Sequence, residues 1–353
     1  MAAPMAAGCS KACSKPSPET THRTIKRRAR EPHDRELIVN KPEIEWPALP
    51  YAEWAETCAA LHLWTQIVGK YRLAHTPWVN HSWHATLYGT PRGLTTGPIA
   101  DGTLPITLTF DLRAHVLIGE TPEMREQFAL EAMSTADFLE RTTALIDRLG
   151  GRMQIHGTPN EIPYATPFAE DRAPRPYDRE AVQRFHTALM SIERVFQQFR
   201  TGFLGKVSPV HLFWGSFDVA VTRFSGRRAP PHPGGVPGLP DDVTREAYSH
   251  EVSSAGFWPG GAGADEAMFY SYAYPTPDGF AERPVDPPAA RFDRQLGEFV
   301  LPYEAVRTSA DPAAELMRFL QSTYAAAADS AGWDRSELEC ALGIPGRPRV
   351  VQA

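Results

Sequence analysis

Apolar residues recur at steps of three and four along two long stretches, and each stretch predicts a helix with one buried stripe. In the first, Tyr51, Trp54, Cys58, Leu61, Thr65, Val68 and Arg72 mark a mainly apolar line ending near Leu73. In the second, Asp178 can cap a helix whose stripe is Val182, Phe185, Leu189, Ile192, Phe196, Phe199 and Phe203. Between them, residues 81–88 alternate as a strand does, with Trp83, Ala85 and Leu87 on one face and His84, Thr86 and Tyr88 on the other. Further strands are expected at 106–111, 115–118 and 127–130. Ser134 can cap a helix that Gly150 and Gly151 end, and a strand at 153–156 closes this part. After the second long helix, 210–224 reads as a strand or a hairpin. A short helix from Asp241, strands near 269–274 and 299–301, and a helix from Asp311 to about Ser330 follow.

The order predicts an α+β fold of two similar units, each a long helix followed by a mainly antiparallel sheet and a second helix. The first unit runs over 44–161 and the second over 178–338. The connection at 162–177 holds Pro163, Pro167, Pro174 and Pro176, which favour extended chain. Residues 1–43 lack hydrophobic periodicity and read as a flexible basic extension, and 339–353 as a tail. Gln66, Pro77, Val79, Trp83 and Arg92 fall opposite Gln198, Pro209, Val210, Trp214 and Arg223, a pattern that fits either an internal duplication or two merely similar units.

Composition narrows the class. With 42% hydrophobic and 22% charged residues over 353 positions, the chain can bury a sizeable core. A net charge of −6 provides no basic field, which argues against nucleic acid as a partner. No apolar run approaches the ~20 residues of a membrane span, and the cysteines show no disulfide or zinc spacing, so a cytoplasmic protein is expected.

Candidate chemistry collects in a few places. His62, Gln66 and Lys70 are spaced i, i+4, i+8, one row that lines a pocket or forms a polar helix edge. Histidines gather at His75, His81 and His84, with strand alternation sending the last two to opposite faces. In 210–224, alternation puts His211, Phe213, Phe217, Val219, Val221 and Arg223 on one side and Trp214, Ser216, Asp218 and Ala220 on the other. Both sides look covered, so Asp218 must either be paired or titrate abnormally. Arg227, Arg228 and His232 stand in a proline-stiffened loop. Were the following segment helical, Glu246 and His250 would share a face as an acid/base pair, with Glu251 about a quarter-turn away. His232 and His250 are the candidate ligands of a divalent metal, without H-E-x-x-H spacing. No phosphate loop, G-x-S-x-G elbow or Rossmann fingerprint occurs in the right context.

The strings 62–70, 209–218, 229–235 and 249–254 resemble the bacterial domain-of-unknown-function family numbered 5996, over about Trp46 to Leu338. The resemblance implies domain limits and carries no activity. From the residues, two readings stand. One is an intracellular enzyme acting on a small polar or aromatic molecule. In it His250 with Glu246 or Glu251 does acid/base work, beside Asp218, and His232 assists or binds metal. Arg223 and Arg227 hold an anionic group, Gln66, Lys70 and His211 contact the ligand, and Trp214 and Trp258 form walls. The other is a non-catalytic small-molecule-binding or interaction module.

Overall fold

The first apolar stripe folds as its spacing asks. Helix α1 spans Tyr51–His75 and buries Trp54, Cys58, Leu61, Trp64, Ile67, Val68 and Tyr71. Gln66 and Lys70 are buried with them, so the helix is enclosed beyond its apolar face. The computed structural model describes residues 45–261 and 264–349. The expected basic extension at 1–43 lies outside the described residues.

After α1 comes a five-stranded antiparallel meander, in spatial order β1 (Tyr88–Thr90), β2 (Gly93–Ala100), β3 (Pro105–Asp111), β4 (Val116–Glu120) and β5 (Arg125–Ala129). Helix α2 (Thr135–Arg148) starts on a reciprocal cap: Ser134 accepts the Asp137 backbone N–H while Asp137 accepts that of Ser134. Phe138 of α2 stacks on Trp64 of α1 at 4.9 Å and on Phe110 of β3 at 6.0 Å. One aromatic column thus joins both helices to the sheet.

Helix α3 (Arg179–Arg200) is capped by Asp178, whose carboxylate accepts the Glu180 and Ala181 N–H groups. It precedes β6 (His211–Phe213), β7 (Asp218–Arg228), α4 (Asp241–Ala247), β8 (His250–Trp258), β9 (Met268–Tyr274), β10 (Arg291–Asp293) and β11 (Glu298–Pro302). These strands form an antiparallel sheet in the order β10-β11-β9-β8-β7-β6. Three helices end the described chain: α5 (Tyr303–Arg307), α6 (Pro312–Ser330) and α7 (Arg335–Leu338). On one face of the second sheet Val219, Val221, Phe257, Phe269, Phe299 and Leu301 are buried against α3 and α6. The opposite face carries polar residues.

The two sheets touch through backbone. Leu87 and Leu212 exchange hydrogen bonds of 3.0 and 2.8 Å, and one continuous apolar core runs under both sheets. The fold is α+β, each sheet preceded by a long helix and followed by helices, with five and six strands.

Several local expectations are corrected. Residues 81–88 are not a strand: Asn80–Ser82 make a tight 3₁₀ turn in which His81 and Ser82 have φ of 61° and 58°. Alternation there reflects a turn packed on both sides. Residues 153–156 are irregular, and β2 was hidden by Gly97 and Pro98. The stretch 210–224 is a hairpin whose turn at Trp214–Phe217 resets the parity. Phe213 therefore pairs with Asp218 and His211 with Ala220, which takes His211 off the Arg223 face. Helix α4 stops at Ala247 and His250 opens β8, so Glu246 and His250 do not share a helix face.

Candidate active site on the polar face of the second sheet

Asp218, first residue of β7, is 3% exposed. Its carboxylate accepts hydrogen bonds from the hydroxyls of Ser216 and Tyr270. Burial raises its pKa, against the pull of those hydroxyls and of its own backbone N–H. Tyr270 belongs to β9 and reaches Asp218 over the intervening β8. It can do so because its register partner on β8 is Gly256, where a Cβ would stand 2.2 Å from the Tyr270 hydroxyl oxygen.

Aromatic and acidic side chains surround this pair. Trp258 lies over Tyr270 at 4.3 Å, and Tyr272 follows at 6.1 Å. Tyr272 and Tyr248 share a 2.8 Å hydroxyl contact, and His232 is wedged between the rings of Tyr248 and Tyr274 at 4.8 and 5.0 Å. Glu298 of β11 shares the face by strand alternation, since Val300 is paired with Tyr270. Its Oε2 is buried and, among the described residues, has no hydrogen-bond partner. Burial and the charges of Asp218 and Asp293 push Glu298 up to about 8, and burial with Asp218 pushes Glu161 up to about 7. Glu161, Tyr248, Trp258, Tyr272 and Glu298 are all half-buried, so solvent reaches the group from several sides.

The row on α1 supports this site from behind. Gln66 holds the backbone of Asn160 at both ends, accepting its N–H at 2.7 Å and donating to its carbonyl at 2.9 Å. Lys70 donates to the Asn160 side chain, which in turn donates to the Gly238 carbonyl at 2.8 Å. Burial brings the Lys70 ammonium down to about 8. His62 donates through Nε2 to the Gly215 carbonyl at 2.7 Å. The row expected from spacing exists, yet it grips protein backbone, fixing the 160–161 loop and the turn ahead of Asp218. Glu161 is set there at φ 61°, its carboxyl against Gly215, where a Cβ would be 1.9 Å away.

Other expected site residues lie elsewhere. Trp214 packs against Gly69 and donates to the Ala85 carbonyl at 2.6 Å, a core role. Arg223 is sandwiched by Phe199 and Tyr324 at 3.6 and 4.4 Å on the helix-covered face. It borders a cavity of about 430 Å³ beside α6 and α7. The other arginines there are paired, Arg318 with Asp286 and Glu315, and Arg335 with Asp329 and Glu339. That neutralised cavity is a weaker candidate than the unmatched carboxyls around Asp218. Arg227 pairs with Glu251 at 2.7 Å and donates to the Ala331 carbonyl at the end of α6.

His250 stands 6.1 Å from His81, while Glu246 accepts the His81 backbone N–H at 2.9 Å. The three are neighbours through His81 rather than as a direct acid/base pair. Among the described residues no three His, Cys, Asp or Glu side chains are arranged to hold a metal ion. His232 and His250 keep different company, one between tyrosines and one beside His81, so the two are not brought together as ligands. His211 belongs to neither group and sits at the seam between the sheets.

Glu161, Glu298, Tyr248, Tyr270 and Tyr272 were missed from sequence. The available signal for Glu298 was its place one residue before the apolar Phe299 and two before Val300, a register that points it with Val300.

The model of a family of unknown function, DUF5996, matches residues 46–340. No curated protein and no solved structure matches the chain. Among the described residues no helix is long and apolar enough to cross a membrane.

Proposed function

We propose that this chain, which belongs to the DUF5996 family of unknown function, is an enzyme that moves protons on a neutral or cationic small molecule bound against Asp218, Tyr270 and Glu298. The observation that carries this reading is Glu298: a carboxyl held at about 8, with one oxygen buried and unpartnered, next to a second carboxylate that is fully bonded. Two carboxyls that burial lifts together, one with a free oxygen and one held by two hydroxyls, suit the roles of proton donor and positioning group. Glu298 holds a proton near neutral pH and can donate it. Asp218, oriented by Ser216 and Tyr270, presents acceptor oxygens that position the ligand.

The lining also limits the ligand. The charges that act on Glu161 and Glu298 are those of carboxylates, which disfavours an anion. Trp258 offers a flat apolar wall, and the tyrosine hydroxyls offer donors and acceptors. The rival reading, a binding module, uses the same surfaces and differs in returning the ligand unchanged.

The test is proton NMR of the protein in D2O with a panel of aromatic amines, amides and small neutral carbonyl compounds. Deuterium incorporation or conversion by the wild type, lost in Glu298→Gln with binding retained, supports the enzyme. Binding without exchange or conversion supports the module. A ligand whose binding ignores Asp218→Asn, Glu298→Gln and Trp258→Ala alike places the site elsewhere.

A further inference from the structure

The seam between the sheets holds a second group of polar side chains with different chemistry. Leu87 and Leu212 pair in antiparallel fashion, so their neighbours Tyr88 and His211 come opposite one another, with rings 6.3 Å apart. His211 is fully buried, and among the described residues neither of its ring nitrogens has a hydrogen-bond partner. The Arg72 guanidinium lies over the Tyr88 ring at 5.1 Å and donates to the Thr86 carbonyl, while its Nε is buried and unpartnered. Arg200, at the end of α3, likewise buries an Nε without a partner. Among the described residues neither arginine forms an ion pair with a carboxylate. Both act by charge on His211, which burial and the two cations bring down to about 3, so it is neutral and keeps one N–H to give.

Glu193, two turns before Arg200 on α3, is the acidic group in this region. Its carboxyl lies against Gly89 with Oε1 buried and, among the described residues, without a hydrogen-bond partner, and burial pushes it up to about 7, which weakens it as a counter-ion. His84, whose Nε2 is also buried and unpartnered, feels the charge of Arg72. Two guanidinium groups and a neutral imidazole, with at least three N–H groups unanswered, make an arrangement that water satisfies in hydrogen bonds but not in charge.

We propose that Arg72, Arg200 and His211 form a binding site for the oxyanion group of a small molecule, a carboxylate or a phosphate, at the junction of the two sheets. Guanidinium N–H pairs match the oxygens of both groups, and the buried setting strengthens each bond. The site shares no residue with the Asp218 group and does not depend on its reading.

The test is isothermal calorimetry of the full chain with inorganic phosphate and, separately, sodium acetate, at an ionic strength fixed with chloride. Saturable binding of either anion is expected, and which one binds more tightly assigns phosphate or carboxylate. Arg200→Gln should weaken it by at least about tenfold, and Arg200→Lys by less. Among the described residues the Arg200 side chain makes no hydrogen bond, so its variants should melt as the wild type does; Arg72→Gln provides the second arm. The proposal is overturned if the wild type binds neither anion, or if binding persists unchanged in both glutamine variants.

Discussion

Tyr270 donates its hydroxyl to Asp218 across the strand that separates them, passing over Gly256. Neither residue could form this contact with a side chain between them. The small residues of β8 are therefore a condition of the site rather than a weakness of the strand.

Gly256→Ala is expected to push the Tyr270 hydroxyl aside and leave buried Asp218 with one donor fewer. The cost should be roughly 1–3 kcal/mol, the range for overpacking and for a lost bond to a buried carboxylate. Urea unfolding of Gly256→Ala, alone and combined with Tyr270→Phe, checks it. The alanine should cost less once the hydroxyl is gone, and equal costs in both backgrounds would separate Gly256 from the Tyr270–Asp218 bond.

Stability should depend on pH through Glu161 and Glu298. Their folded pKa values, about 7 and about 8, lie above the ordinary carboxyl value of 4.5. Their contribution is thus fully present below pH 4.5 and is lost as pH rises through 7 and 8, because the folded state resists the charged form. Glu298→Gln removes one of these groups and should flatten the decline, leaving the variant more stable than wild type at pH 9 by roughly 2 kcal/mol after allowance for partial exposure. Comparing the two proteins at each pH cancels the opposite trend from Lys70, whose lowered pKa favours folding as pH rises past 8. Parallel stability curves for the two proteins would refute the assignment.

Much of the frame was legible because its signals are local. Ser134 with Asp137 and the carboxylate of Asp178 satisfy helix starts within three residues, and the stripes on α1 and α3 need only the helix repeat. Asp218 stood out because an acid between apolar neighbours on a strand has to be explained. Strand β8 did not stand out: Ser253, Ser254, Ala255 and Gly256 have weak strand preference, and the reason Ser254 and Gly256 are small lies on β9 in their register partners Tyr272 and Tyr270. Glu298 and Glu161 were hidden for a related reason. Each is an ordinary glutamate in its own segment and meets Asp218 only through sheet register and the Asn160 clamp.

That clamp gives a third expectation. Gln66 is the partner of both backbone groups of buried Asn160, so Gln66→Leu should leave a donor and an acceptor unanswered and cost about 2–4 kcal/mol. Lys70→Met should cost less, because it removes a buried cation while keeping the apolar stem. Chemical denaturation of the two variants ranks them, and the reverse order would mean that Lys70, not Gln66, holds the loop.

Histidine 81 supplies the last. Its Nδ1–H donates to the Ala247 carbonyl at 2.6 Å, which leaves Nε2 as an acceptor, and the Lys206 ammonium fills it at 2.6 Å. A protonated His81 would have to expel that cation, and its pKa is lowered by burial first and by Lys206 and His250 besides, with the Ala247 bond and Glu246 opposing. Lys206→Met removes one opposing charge and frees Nε2, so His81 should titrate at higher pH in the variant when its ring protons are followed by NMR. His250 lies 6.1 Å from His81 and is among the groups that disfavour protonation of His81. An unchanged His81 titration would show that Lys206 does not sit on the ring, and would reopen the place of His250 and Glu246 in the chemistry of this face.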